Sequence, residues 1–91
     1  MKSYRPDITV FVEDVRCDFA FAESTIYLMG VLPEKVGGLR FGDRGCIIMP
    51  VHDQKNQFRV TNMDWSELKG LLSEVRQGTR QAQFRKAFML R

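Results

Sequence analysis

Few side chains in this chain are of a type that moves protons or forms bonds. His52 is the only histidine and stands beside Asp53, Cys17 and Cys46 lie 29 positions apart, and Asp14 and Asp18 share a short acidic stretch. A thiol activated by an imidazole would be a nucleophile, and two neighbouring carboxylates would be an acid and its base. Both cysteines, however, sit in apolar stretches where a thiol is a small, inert core group. No histidine lies near either aspartate in sequence. With no CxxC and no Cys/His cluster there is no ligand set for a metal, and no cofactor fingerprint is present. The chain reads as non-catalytic.

The glycine-rich stretch from Gly37 to Gly45 carries Arg40 and Arg44. It matches neither GxGxxG nor GxxxxGK[ST], and a strand pattern follows it instead of a helix whose N-terminus could hold phosphate. It reads as a turn whose arginines can meet a carboxylate or phosphate in bidentate fashion.

The strongest functional signal is charge sorting. Residues 1–45 hold six basic and seven acidic side chains, whereas residues 46–91 hold eight basic and four acidic, so a chain of net charge +3 splits into −1 and +4. The last sixteen residues, Arg76 to Arg91, contain no Asp or Glu. If that tail is a helix, Phe84 and Phe88 lie one turn apart with Arg85 and Lys86 beside them, a basic amphipathic surface. The candidate partner-binding residues are therefore Arg76, Arg80, Arg85, Lys86, Arg91 and Phe84, joined by Arg40 and Arg44. The favoured partner is an acidic protein surface, met through this basic face or through a sheet edge by a small regulator or inhibitor of the kind that phages and other mobile elements carry. The alternative is a nucleic acid, whose phosphates the basic side chains would neutralise and whose bases Phe84 would stack upon. The acidic group Glu13, Asp14, Asp18 and Glu23 reads as a guard against edge pairing, or as the complement of the basic end in a homodimer.

The elements that must position these residues follow from apolar periodicity. Ile8, Val10 and Val12 alternate as in a strand, and the phase changes at Glu13-Asp14 before Cys17, Phe19 and Phe21; a bulge or bend in one long strand is expected there, with a hairpin turn as the alternative. Thr25 to Leu32 is a second β-rich run that ends at Pro33. Leu39 to Phe41 can pair briefly. Cys46 to Val51 is continuously apolar, as in a strand covered on both faces, and Phe58 to Thr61 alternates again as its hairpin partner.

Asp64 as N-cap, Glu67 three residues on, and Met63 with Leu68 as a hydrophobic staple predict a helix over 64–77, with Trp65, Leu68, Leu71, Leu72 and Val75 facing the core and Gly78 ending it. Trp65 reads as a core plug, and Gly70 as a point of close approach to a strand. Ala82, Phe84, Ala87 and Phe88 suit a second helix over 79–90. Ala82, Phe84, Phe88 and Leu90 also fit a strand, but helix formers dominate and helix is expected.

With 44% hydrophobic residues and ten aromatics, the composition is that of a folded chain, and 91 residues make a single domain with residues 1–7 as its one candidate flexible end. No apolar leader and no run near the roughly 18 residues of a membrane span is present, so a cytoplasmic protein is expected. The expected fold class is α+β: an antiparallel meander of four or five strands packed by one capped helix, with a second, basic C-terminal helix.

Overall fold

The computed structural model describes residues 4–30, 37–51, 54 and 56–85. Its elements in chain order are β1 (Ile8–Val12), β2 (Val15–Ala22), β3 (Thr25–Met29), β4 (Gly38–Phe41), β5 (Arg44–Pro50), β6 (Gln57–Val60), α1 (Trp65–Gln77) and β7 (Gln83–Arg85). The strands form one antiparallel sheet in the order β1-β2-β3-β6-β5-β4-β7, curled into a nearly closed barrel. This corrects the expected meander of four or five strands with two helices: among the described residues there are seven strands and a single helix. The connection from Met29 to Gly38 carries the chain past two strand positions, after which β5 and β6 return to β3, a Greek-key path that local periodicity does not encode.

Turn chemistry sets the hairpins. Glu13 and Asp14 have φ of 51° and 66°, and Val12 pairs with Val15, so this step is a two-residue turn between separate strands and not the expected bulge or bend. Both central residues at positive φ give the type I′ twist that suits adjacent strands, and Glu23-Ser24 repeats it between β2 and β3. At Gly42-Asp43 only the glycine is at positive φ, the type II′ arrangement.

Alternation then fills the interior. Val10, Val12, Cys17, Phe19, Leu28, Leu39, Phe41, Cys46 and Phe58 are all buried, and Leu68, Leu71 and Leu72 of α1 join them, the helix lying against β1. Asp64 caps α1 as expected, its Oδ1 accepting from the Glu67 amide at 2.8 Å, while Glu67 turns its own carboxylate to Arg44. Gly78 (φ 81°) closes the helix in the left-handed conformation, and the amides of Gly78 and Thr79 bond the carbonyls of Val75 and Glu74.

Beyond that stop the expected second helix is overturned. Gln83–Arg85 is a strand on β4, because backbone pairing and inward packing of Ala82 and Phe84 outweigh the helical preference of the segment. The remainder of 79–90, residues 86–90, lies outside the described residues. The N-terminal segment is engaged from Tyr4 onward: its ring stacks on Tyr27 at 4.3 Å, and Asp7 accepts from the Phe21 amide at 2.7 Å.

β5 is the corner of the barrel. Its first half, Arg44 to Ile47, pairs with β4, and its second half, Ile48 to Pro50, pairs with β6. Where it leaves β6, the Asn62 side chain substitutes for a strand, accepting from the Ile47 amide at 2.7 Å and donating to the Gly45 carbonyl at 3.1 Å. Gly38 permits the close approach of β4 to β5, since a Cβ there would stand 2.3 Å from the Cys46 carbonyl oxygen.

Gly70, in contrast, has nothing within 4 Å of an added Cβ, so it is not the strand contact its sequence position suggested. Chemical denaturation of three variants checks this assignment. Gly38→Ala loses about 1–3 kcal/mol through forced backbone shifts, Gly70→Ala gains up to about 1 kcal/mol of helix propensity, and Leu72→Ala loses about 2–5 kcal/mol by opening a core cavity.

Candidate interaction surface

The eight residues singled out from the sequence separate into distinct groups. Arg80 is a strap within the fold: its Nε donates to Glu74 Oε1 at 2.6 Å and its Nη1 to the Phe41 carbonyl at 3.0 Å, holding the chain after α1 against the end of β4. Phe84 points inward, half-buried against the core, while its amide donates to Glu13 Oε2 at 2.8 Å. Neither is free to meet a partner in the way expected. Arg76 is exposed on the last turn of α1, beside Ser73 and Gln77. Lys86 and Arg91 lie outside the described residues.

Arg40, Arg44 and Arg85 come together. They surround a depression of about 320 Å³ on the outside of the barrel, with Asp43 at its rim and Gly45 in its floor. Strand pairing explains the convergence of residues so far apart in the chain. Gly45 lies opposite Arg40 on β4, Arg40 lies opposite Gln83 on β7, and Arg85 follows Gln83 on the same outward side. The Arg85 side chain crosses the outside of β4, its Nη1 reaching within 3.8 Å of where a Gly45 Cβ would be.

Arg40 is braced by a 3.3 Å bond from its Nε to the Gly42 carbonyl, and Arg44 pairs with Glu67. Arg40 and Arg85 form no ion pair among the described residues, so with Arg44 paired to Glu67 and the Asp43 carboxylate at the rim the depression keeps a net positive charge.

Beside this basic ground stand two apolar side chains that sequence reasoning placed under cover. Ile47 and Met49 are 45% and 47% exposed. The continuous apolar run Cys46 to Val51 suggested a strand covered on both sides; in fact only Cys46 and Ile48 face the core, and Ile47 lies in the row formed with Gly38 and Arg85. The available signal was parity along β5, which the unbroken hydrophobicity concealed. A second feature missed is Trp65, which is only partly buried and stacks its ring on Phe21 at 5.6 Å.

Several of the acidic residues are occupied with backbone and neighbouring side chains. Glu13 holds β7, Asp7 holds the Phe21 amide, and Asp18 accepts from Thr9 Oγ1 at 2.7 Å and pairs with Arg16 at 3.1 Å.

No group of three or more His, Cys, Asp or Glu side chains that could hold a metal ion occurs among the described residues, and His52 with Asp53 lies outside them. Both thiols are buried and free, and burial pushes Cys17 up to about 12 and Cys46 up to about 11. That shift opposes the thiolate a nucleophile requires. No helix among the described residues is long and apolar enough to cross a membrane. Compared with protein-family models, with curated proteins and with solved structures, the chain matches none.

The raised thiol values have a defined consequence. An exposed thiol ionises near pH 8.5, so below about that pH the full preference for the folded state is present, and it is lost as pH rises through about 11 and about 12. Denaturation midpoints should fall across this window, and less steeply in a Cys17→Ala/Cys46→Ala variant. At neutral pH both thiols should react with a colorimetric disulfide reagent only as fast as the protein opens.

Proposed function

We propose that this chain is a non-catalytic binding module whose outer face over β5, β4 and β7 engages an acidic, partly apolar surface of a partner protein. The observation that carries the reading is the convergence of Arg40 and Arg85 over the Gly45 floor, with exposed Ile47 alongside. Apolar contact supplies affinity, while the two guanidiniums select a carboxylate-bearing partner and fix its register. Arginine is well suited to this work because its planar fork meets carboxylates in pairs of hydrogen bonds. Two buried free thiols accord with a reducing, intracellular setting.

A face is favoured over the edge of β7. The Phe84 amide of that edge strand is already taken by Glu13, which blunts it as a template for an added strand. The nucleic-acid alternative has less support than the sequence offered it, since Arg80 is committed to Glu74 and Phe84 is turned inward.

Affinity capture from cell extract, with and without nuclease and at low and high salt, tests the proposal. Captured protein should survive nuclease and moderate salt. An Arg40→Glu/Arg85→Glu variant should lose capture by about tenfold or more with a nearly unchanged melting temperature, because both side chains are exposed. Capture that vanishes with nuclease and falls steeply with salt would establish the phosphate-driven alternative, and unaltered capture by the double variant would remove this face.

A further inference from the structure

The outer face of β5 is periodic. Side chains on one side of a strand recur every two residues, about 6.8 Å apart. On β5 the outward series is Gly45, Ile47 and Met49: first the floor of the Arg40–Arg85 depression, then two exposed apolar side chains. The anion-selecting and apolar parts of the surface therefore lie along one line at even steps.

Backbone pairing limits what can lie on this line. From Gly45 to Ile47 both edges of β5 are occupied. β4 pairs along one side, while on the other the Asn62 side chain holds the Ile47 amide and the Gly45 carbonyl, and the Thr61 amide donates to the Ile47 carbonyl at 3.0 Å. An extended peptide laid over this stretch finds no main-chain partner, and its own amides and carbonyls would be covered unpaired. A helix satisfies its backbone internally and meets such a face with side chains alone. Four residues of helix rise about 6 Å, close to the two-residue step of the strand, so side chains at i, i+4 and i+8 meet Met49, Ile47 and the Gly45 floor in turn.

Charge sets the composition and direction of that helix. Arg40 and Arg85 flank the Gly45 end, and Arg59 lies opposite Met49 on the outward side of β6, between the buried Phe58 and Val60. Against these three cations stand Asp43 at the rim and Glu13, whose carboxylate is turned to the Phe84 amide, while Arg44 and Glu67 cancel. The described part of the face is positive. The C-terminal end of a helix carries partial negative charge, so it belongs at the Arg40–Arg85 end. We infer that the partner's contact element is an acidic amphipathic helix, with apolar side chains four residues apart on Met49 and Ile47 and a carboxylate four residues further on, in its last turn, on Arg40 and Arg85. This rests on the proposed function and names the element through which the partner binds.

The test is fluorescence anisotropy of labelled peptides with the full chain. The reference peptide is a helix-forming alanine–glutamine sequence with two leucines four residues apart and a glutamate four residues further on. A second peptide has glutamine in place of the glutamate, and a third has a proline midway between the leucines, which breaks the helix. The reference peptide should bind saturably, the glutamine peptide about fivefold more weakly, as expected for loss of one charge-assisted contact at exposed guanidiniums, and the proline peptide about tenfold or more weakly. Ile47→Ser, at an exposed position, should keep the melting temperature and weaken the reference peptide about fivefold. Equal binding of the reference and proline peptides overturns the helix, and equal binding of the glutamine peptide, or full affinity in Ile47→Ser, overturns its placement. If no peptide binds while capture of protein from extract still requires Arg40 and Arg85, this inference fails and the proposed function stands; if capture is also indifferent to both arginines, the two fail together.

Discussion

A sheet that curls until its ends approach one another must satisfy backbone groups that a flat sheet would pair strand to strand. In this barrel three side chains do so at the places where the ladder fails. Asn62 replaces β6 beside β5, Asp7 takes the Phe21 amide beyond the β1–β2 pairing, and Glu13 reaches from a hairpin turn to the amide of Phe84 on β7. An amide left without an acceptor costs folding free energy wherever water cannot replace the lost partner. Asp7 and Glu13 therefore act on the fold, each accepting from a backbone amide that the ladder leaves unpaired.

The bend in β5 connects that constraint to the surface. Because β5 leaves β6 for β4 at Ile47–Ile48, the strands β5, β4 and β7 present a separate outer face, and Gly45 leaves space on it for arginines from two neighbouring strands. Arg80, bonded to both Glu74 and Phe41, brings β7 to that face by fixing the chain after α1. Two basic residues of the same tail thus have opposite fates. Arg80 is consumed in building the surface, and Arg85 is displayed on it.

Much of the local structure was legible in the residues. The capping aspartate of α1, the glycine that ends it and the leucines of its inner stripe stand where their spacing placed them, because cap geometry and helical periodicity depend on neighbours within one turn. Arg40, Arg44 and Arg85 were visible as candidate contacts, but not as a group. Ile47 and Met49 escaped notice because a continuous apolar run looks the same whether both faces are covered or one is open. Phe84 was misread for a related reason: a short segment of mixed period takes its conformation from the strand it docks on, not from its own propensity.

The amino-acid order determined the alternation that makes strands of residues 8–22, the turn residues that permit positive φ, the one capped helix and the excess of positive charge toward the C-terminus. Those properties arise from interactions between residues close along the chain, or from simple counting. Only the tertiary structure decided that β3 pairs with β6, that residues 83–85 extend the sheet, which arginines are bonded within the fold, and which aromatic rings stack together. Each depends on contacts between segments tens of residues apart, whose free energy is set by closing the chain around a shared core and has no signature in any local window.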